Sequence, residues 1–169
     1  MLPSMFRACG LFFLAAVCAA NCFAQGIPPT AGETLTGKRV VVADEVRGHR
    51  AVLIAGFSHD GGVRSSAWVK AIHADSAFAP IPVYQVAMLA AAPGFIRGVI
   101  KSGMRKGMST EEQDHTIVLT EDEKPWQDFF QVSTDKDPYV LLIDAAGKVL
   151  WRGHGDHARL EPQLKAALP

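Results

Sequence analysis

Cysteine is missing from everything after position 22. The 169-residue chain has three, Cys9, Cys18 and Cys22, and all lie in one N-terminal apolar stretch. Disulfide exchange and soft-metal ligation both need a thiolate, so neither is open to the rest of the chain. No disulfide can staple that part either, and it must rest on its core alone. A surplus of one charge sign is also missing: 17 basic residues face 17 acidic ones. A chain without a net positive field has no bulk attraction for a phosphate backbone, which excludes nucleic acid as that kind of partner. Internal repeats and low-complexity tracts are absent too.

The N-terminal segment carries an address. Met1 to Ala24 has no acidic residue and one basic one, Arg7, ahead of an apolar run from Ala8 to Ala20. It ends Asn21-Cys22-Phe23-Ala24, with small residues three and one before Gln25. That pattern predicts a signal peptide over residues 1–24, and Met5-Phe6-Arg7 makes a tidier positively charged start. Two other readings stay open. Ala8 to Ala24 approaches the length of a bilayer-spanning anchor. Lipidation at Cys18 or Cys22 is the other, although neither Ala15 nor Ala19 is the expected upstream leucine. The expected location is periplasmic or otherwise extracytoplasmic. Membrane association would come through an uncleaved N-terminus or a membrane-bound partner.

Beyond the signal, residues 25–37 are rich in Gly, Pro and Thr and read as a flexible lead-in to one domain over residues 38–169. Val40-Val41-Val42 is a short strand candidate. Ala51 to Phe57 is a continuous apolar run, the mark of a strand buried on both faces. Asp60-Gly61-Gly62 breaks it. A helix is predicted over Val63 to Asp75, with Val63, Ala67, Trp68, Ala71 and Ile72 as its apolar stripe. Val83 to Met88 is the next strand. A helix opening at Pro93 then follows, its apolar face formed by Phe95, Ile96, Val99 and Ile100. Thr116 to Leu119 is a further strand, and Pro125 opens a short helix bearing Trp126, Phe129 and Phe130. Tyr139–Ile143 and Val149–Trp151 flank a Gly147 turn as a hairpin. Leu160, Leu164 and Leu168 mark a closing helix.

Strands alternating with helices demand parallel pairs with crossover connections, and the final hairpin adds an antiparallel edge. This order resembles the thioredoxin-like superfamily: an α/β three-layer sandwich, with a mixed central sheet, a C-terminal antiparallel hairpin and a closing helix. The likeness is sharpest at Asp137-Pro138-Tyr139-Val140-Leu141-Leu142-Ile143-Asp144, continuing to Gly147-Lys148-Val149-Leu150-Trp151. It implies that Pro138 is a cis-proline. It also implies that Ser58-His59-Asp60-Gly61-Gly62-Val63-Arg64-Ser65 stands where a redox member carries its Cys-x-x-Cys pair. Within the superfamily the chain resembles the mitochondrial ATP-synthase assembly-factor group, on Phe57-Ser58 with Ser66-Ala67-Trp68, on Tyr84-Gln85-Val86, and on Tyr139–Asp144 with Trp151-Arg152-Gly153. Members of that group act as chaperones for a membrane subunit.

Candidate sites follow. The stretch from Ser58 to Ser65 precedes a helix N-terminus, where unpaired N–H groups and the dipole favour an anion or a peptide carbonyl. Ser58, His59, Asp60, Gly61, Gly62 and Ser65, with Pro138 opposite, form the candidate groove for a protein or peptide. In the plainer reading Asp60 caps the helix and the glycines make a turn. A Ser58-His59-Asp60 hydrolase fails on geometry, because neighbours in one turn rarely point at each other. Arg97, Lys101 and Arg105 form a basic stripe for lipid or an acidic partner, or an ordinary solvated face. His154, Asp156 and His157 are weak metal candidates, since a structural site takes four ligands at defined spacing. No catalytic residue and no cofactor is expected. The competing functional reading is a small-molecule or metal-binding protein, or a degenerate enzyme, on the same scaffold.

Overall fold

The computed structural model describes residues 26–168. The predicted signal segment and its three cysteines lie outside the described residues. One seven-stranded sheet organises the chain, in the order β2-β1-β5-β4-β3-β6-β7. Its strands are β1 (Ala31–Thr34), β2 (Arg39–Val41), β3 (Ala51–Gly56), β4 (Val83–Met88), β5 (Thr116–Leu119), β6 (Pro138–Ile143) and β7 (Val149–His154). The helices are α1 (Val42–Glu45), α2 (His59–Ala74), α3 (Gly94–Arg105), α4 (Thr110–Asp114), α5 (Glu123–Phe130) and α6 (His157–Ala166).

Strands β3, β4 and β5 run parallel, with β4 in the middle. β6 and β7 add the antiparallel edge expected from the hairpin. The long apolar runs are the central strands because helices cover both sheet faces. On one face Leu53, Tyr84, Val86, Leu141 and Ile143 pack with Trp126, Phe129 and Phe130 of α5. On the other, Val52, Ile54, Val83, Val140 and Leu142 pack with Trp68 and Ile72 of α2 and Leu160 and Leu164 of α6. The buried indoles keep hydrogen-bond partners, as burial requires. Trp68 Nε1 donates to the Gly155 carbonyl at 2.8 Å, and Trp126 Nε1 to Thr30 Oγ1 at 3.0 Å.

Three sequence expectations need correction. The lead-in read as flexible contains β1, which pairs antiparallel with both β2 and β5. Its Gly32 is a packing device, since a Cβ there would come within 2.6 Å of Leu119 and 2.7 Å of Ile117. Second, Asp60-Gly61-Gly62 does not break the chain before α2 but forms its first turn. The buried stripe is accordingly rotated to Gly61, Ser65, Trp68, Val69 and Ile72, and Val63 is left 59% exposed.

Third, α3 is rotated from the face its amphipathic pattern gives, with Ile96 and Ile100 half-buried but Phe95 and Val99 turned out. Phe95 and Val99 are 86% and 72% exposed, and no residue of the helix is fully buried. Arg97, Lys101 and Arg105 turn toward the domain instead of forming a free basic surface. Arg97 donates to the carbonyls of Ala92 and Ala90, Arg105 to that of Leu35, and Lys101 pairs with Glu33 at 3.2 Å. Backbone carbonyls without a strand or helix partner need donors, and the arginines supply them.

Candidate functional site

β3 stops at Gly56, and α2 starts three residues later, directly over the strand end. A Cβ on Gly56 would lie 2.7 Å from the Gly62 nitrogen, so only glycine lets the helix sit this close. Ser58, in extended backbone, is the N-cap. Its hydroxyl accepts from the Gly61 N–H at 3.1 Å, satisfying one of the free donors of the first turn. The same hydroxyl donates to the Asp135 carbonyl at 2.7 Å. Ser65, fully buried, donates to the Gly61 carbonyl at 2.8 Å.

Antiparallel pairing of Gly56 with Pro138 brings the start of β6 to the same place. The segment ahead of it, Asp135–Asp137, closes over the helix N-terminus. Gly61 is buried beneath it: a Cβ there would approach the Asp135 carbonyl to 2.8 Å and the Asp137 carbonyl to 3.2 Å. Arg64 ties the segment down, with Nη1 donating to Asp137 Oδ1 at 2.6 Å and to the Lys136 carbonyl at 3.3 Å. The other Asp137 oxygen meets His154 Nδ1 at 3.1 Å. The Tyr139 hydroxyl, which accepts from the Ser133 and Thr134 N–H groups at 2.8 and 2.9 Å, holds the preceding turn.

The sequence candidates therefore divide. Ser58, Gly61 and Ser65 face inward and hold the structure. Pro138 is buried at the head of β6, and its peptide bond is trans, as are all those among the described residues. This corrects the cis expectation. The chain's own Asp135–Asp137 runs between Pro138 and the start of α2, its Asp135 carbonyl bonded to Ser58. His59 and Asp60 remain exposed, and Gly62 has nothing within 4 Å of where a Cβ would be. No hydrogen bond joins Ser58, His59 and Asp60 to one another, because the serine hydroxyl is already committed to Asp135 and Gly61. Asp60 is not the cap; Ser58 is.

His154 turns away from Asp156 and His157. His154 meets Asp137, Asp156 caps α6 by accepting from the Ala158 N–H at 2.9 Å, and His157, whose Nδ1 lies 3.5 Å from Asp156, stands edge-on to Trp68. Among the described residues no group of three His, Cys, Asp or Glu is placed to hold a metal ion. The connection sequence reasoning missed is Arg64–Asp137–His154. Its members come from α2, the segment before β6, and β7. Asp137 holds the half-exposed imidazole of His154 by Nδ1. Asp137 stood beside Pro138 in the motif, but nothing local marks its two partners.

No protein-family model matches the chain, and no curated protein matches it. Solved structures do. A putative thiol:disulfide interchange protein DsbE from Chlorobium tepidum aligns with a TM-score of 0.57 at 21% identity, covering 85% of this chain and 96% of that one. BsSco, a member of the Sco family of cytochrome c oxidase assembly proteins, aligns at 0.55 with 16% identity, covering 84% and 92%. The pneumococcal exposed lipoprotein thioredoxin of Streptococcus pneumoniae strain TIGR4 aligns at 0.54 with 17% identity, covering 82% and 98%. With its mixed sheet, flanking helices and α2 N-terminus at the end of β3, the chain has the thioredoxin-like fold.

Proposed function

We propose that the chain is an exported thioredoxin-like domain that binds a protein or peptide without thiol chemistry, in the service of assembling a membrane complex. The observation that carries this is the N-terminus of α2, where the resemblance puts a redox pair. It holds Ser58 as a cap and Gly61 under a closed segment, with no cysteine among the described residues. Exchange through a mixed disulfide has no sulfur to start from. What this end of the helix presents outward is His59, Asp60, the open side of Gly62, and the exposed apolar Val63. An apolar side chain ringed by polar groups is suited to a contact rather than to catalysis.

Export is supported by the pattern of residues 1–24, and none of the described helices is long and apolar enough to cross a membrane. The assembly role rests on the resemblance at Phe57-Ser58 with Ser66-Ala67-Trp68, at Tyr84-Gln85-Val86, and at Tyr139–Asp144 with Trp151-Arg152-Gly153. The test is capture from an envelope extract by immobilised residues 25–169 in excess thiol reductant. A specific protein should be retained, and Val63→Asp should release it. A partner that the reductant elutes, or none at all, would overturn the proposal.

A further inference from the structure

Strand β7 ends the sheet, and among the described residues no strand pairs with its outer side. Which of its backbone groups face outward follows from one bond. The Gly155 N–H donates to the Pro138 carbonyl at 3.0 Å, so these two residues are a hydrogen-bonded pair of the β6–β7 ladder. Bonded and non-bonded pairs alternate along an antiparallel ladder. In this register Val140 with Gly153 and Leu142 with Trp151 are the next bonded pairs. Arg152 and His154 lie between them and turn their N–H and C=O groups away from β6. Such an edge is a template for another strand. Lysine and irregular register blunt exposed edges, and β7 has both where it begins, at Lys148 and at the shift opposite Leu142 and Ile143. Trp151 to His154, beyond that shift, pair regularly.

The side chains on this edge say what it would accept. Arg152 stands opposite Leu141 on the α5 face. Its Nη1 is buried without a hydrogen-bond partner. Burial alone draws the guanidinium below the ordinary arginine value, and no carboxylate opposes it. An arginine still keeps its charge at neutral pH. A strand added here without a carboxylate would bury that charge unpaired, at high cost; one that brings a carboxylate would gain a charge-assisted bond. The other face is apolar. The Trp151 ring lies across Gly153, where a Cβ would come within 2.4 Å of it. A second copy of the chain is a poor occupant, because antiparallel self-pairing centred on Arg152 sets guanidinium against guanidinium.

We propose that the β7 edge binds an extended acidic segment of another polypeptide, which adds to the sheet as a further antiparallel strand. Its backbone bonds to Arg152 and His154, and a glutamate or aspartate opposite Arg152 pairs with the guanidinium. The residues on either side of that acid turn to the other face and rest on Trp151 and Gly153. Main-chain bonds give such a contact its affinity and alternate side chains its selectivity. This edge does not rest on the α2 contact proposed above.

The experiment uses residues 25–169 and the capped peptide acetyl-Thr-Val-Glu-Val-Thr-amide. Binding is read from the NMR shifts of the Arg152 and His154 amides and the Trp151 indole. The peptide should titrate all three. Its glutamine counterpart, and a version N-methylated at the glutamate, should each bind at least tenfold more weakly. Arg152→Met keeps a stem of similar length and should bind the glutamate and glutamine peptides alike. The modified peptides need no protein variant, so the test stands even if Arg152→Met fails to fold. Equal affinity for the N-methylated peptide, or the same shifts from acetate, would reduce the edge to an anion contact and overturn the proposal. No shift from the glutamate peptide, or an unchanged preference for glutamate in Arg152→Met, would overturn it as well.

Discussion

The two ends of α2 are built on opposite terms. At the N-terminal end every buried polar group has a partner. Ser58 spans Gly61 and Asp135, Ser65 returns to Gly61, and Arg64 grips Asp137. Toward the C-terminal end, Gln85 is a largely buried residue that lines an open cavity. The first end is where the resemblance places chemistry, and it is closed by the chain itself. The second is unmarked by any motif, and it opens onto a cavity. Polar satisfaction, more than motif position, marks the first as a site that holds the fold together.

Substitutions at adjacent glycines break the comparison most sharply. Gly61→Val should destabilise by about 1–3 kcal/mol, the range for overpacking, because the Asp135 carbonyl is backbone and cannot step aside. Gly62→Ala, one residue on, meets open space in a helix and should stabilise by up to about 1 kcal/mol. Urea denaturation of both variants checks the contrast, and equal effects would mean that Asp135–Asp137 does not close over the helix. Ser58→Ala should come next, losing about 0.5–2 kcal/mol as a removed N-cap does. Gln85→Leu should be near neutral, since the strand position between Val83 and Ala87 suits an apolar side chain of similar size. A loss above about 1 kcal/mol would show that the amide is structurally bonded.

The smallest effect is electrostatic and concerns acid. The Ser109 N–H chiefly holds the Glu112 carboxyl below its ordinary value near 4.5; burial opposes this, and the charges of His73 and Lys70 add to it. A carboxyl depressed in the folded state contributes stability above that ordinary value, and the contribution fades as pH falls through the folded value. Glu112→Gln should therefore cost a little stability at pH 7 and flatten the acid limb of the curve, so that the two proteins converge as pH falls below about 4.5. An unaltered acid limb would mean that the Ser109 N–H does not hold this carboxyl down.

The sheet was largely legible in the sequence because its central strands are continuous apolar runs, and Val83–Met88 has the bounds expected. β1 was not, since Gly32 weakens the strand signal for the same reason that it fits: it leaves room for Ile117 and Leu119. The rotation of α3 was hidden because amphipathicity assumes that apolar groups turn inward. Here the carbonyls of Leu35, Ala90 and Ala92 draw in the arginines instead. The location of the α2 site could be read, but its closure could not. The Ser58–Asp135 bond joins residues 77 apart, and no local pattern encodes that contact. Gln85 left a readable trace, a polar residue inside an apolar run, which the strand assignment absorbed without asking what its amide would bond.

The measurement that tests the central claim most directly is the affinity of the captured partner for three forms of residues 25–169 in reductant. These are the unaltered domain, Gly62→Phe, and Phe95→Ser with Val99→Ser. Gly62 has no positive φ and nothing within 4 Å, and both α3 positions are exposed, so all three should fold. The account predicts that Gly62→Phe weakens binding at least tenfold, about 1.4 kcal/mol, while the α3 pair changes it little. If the α3 pair abolishes binding and Gly62→Phe leaves it intact, the working surface is α3 and the α2 N-terminus is only a structural joint.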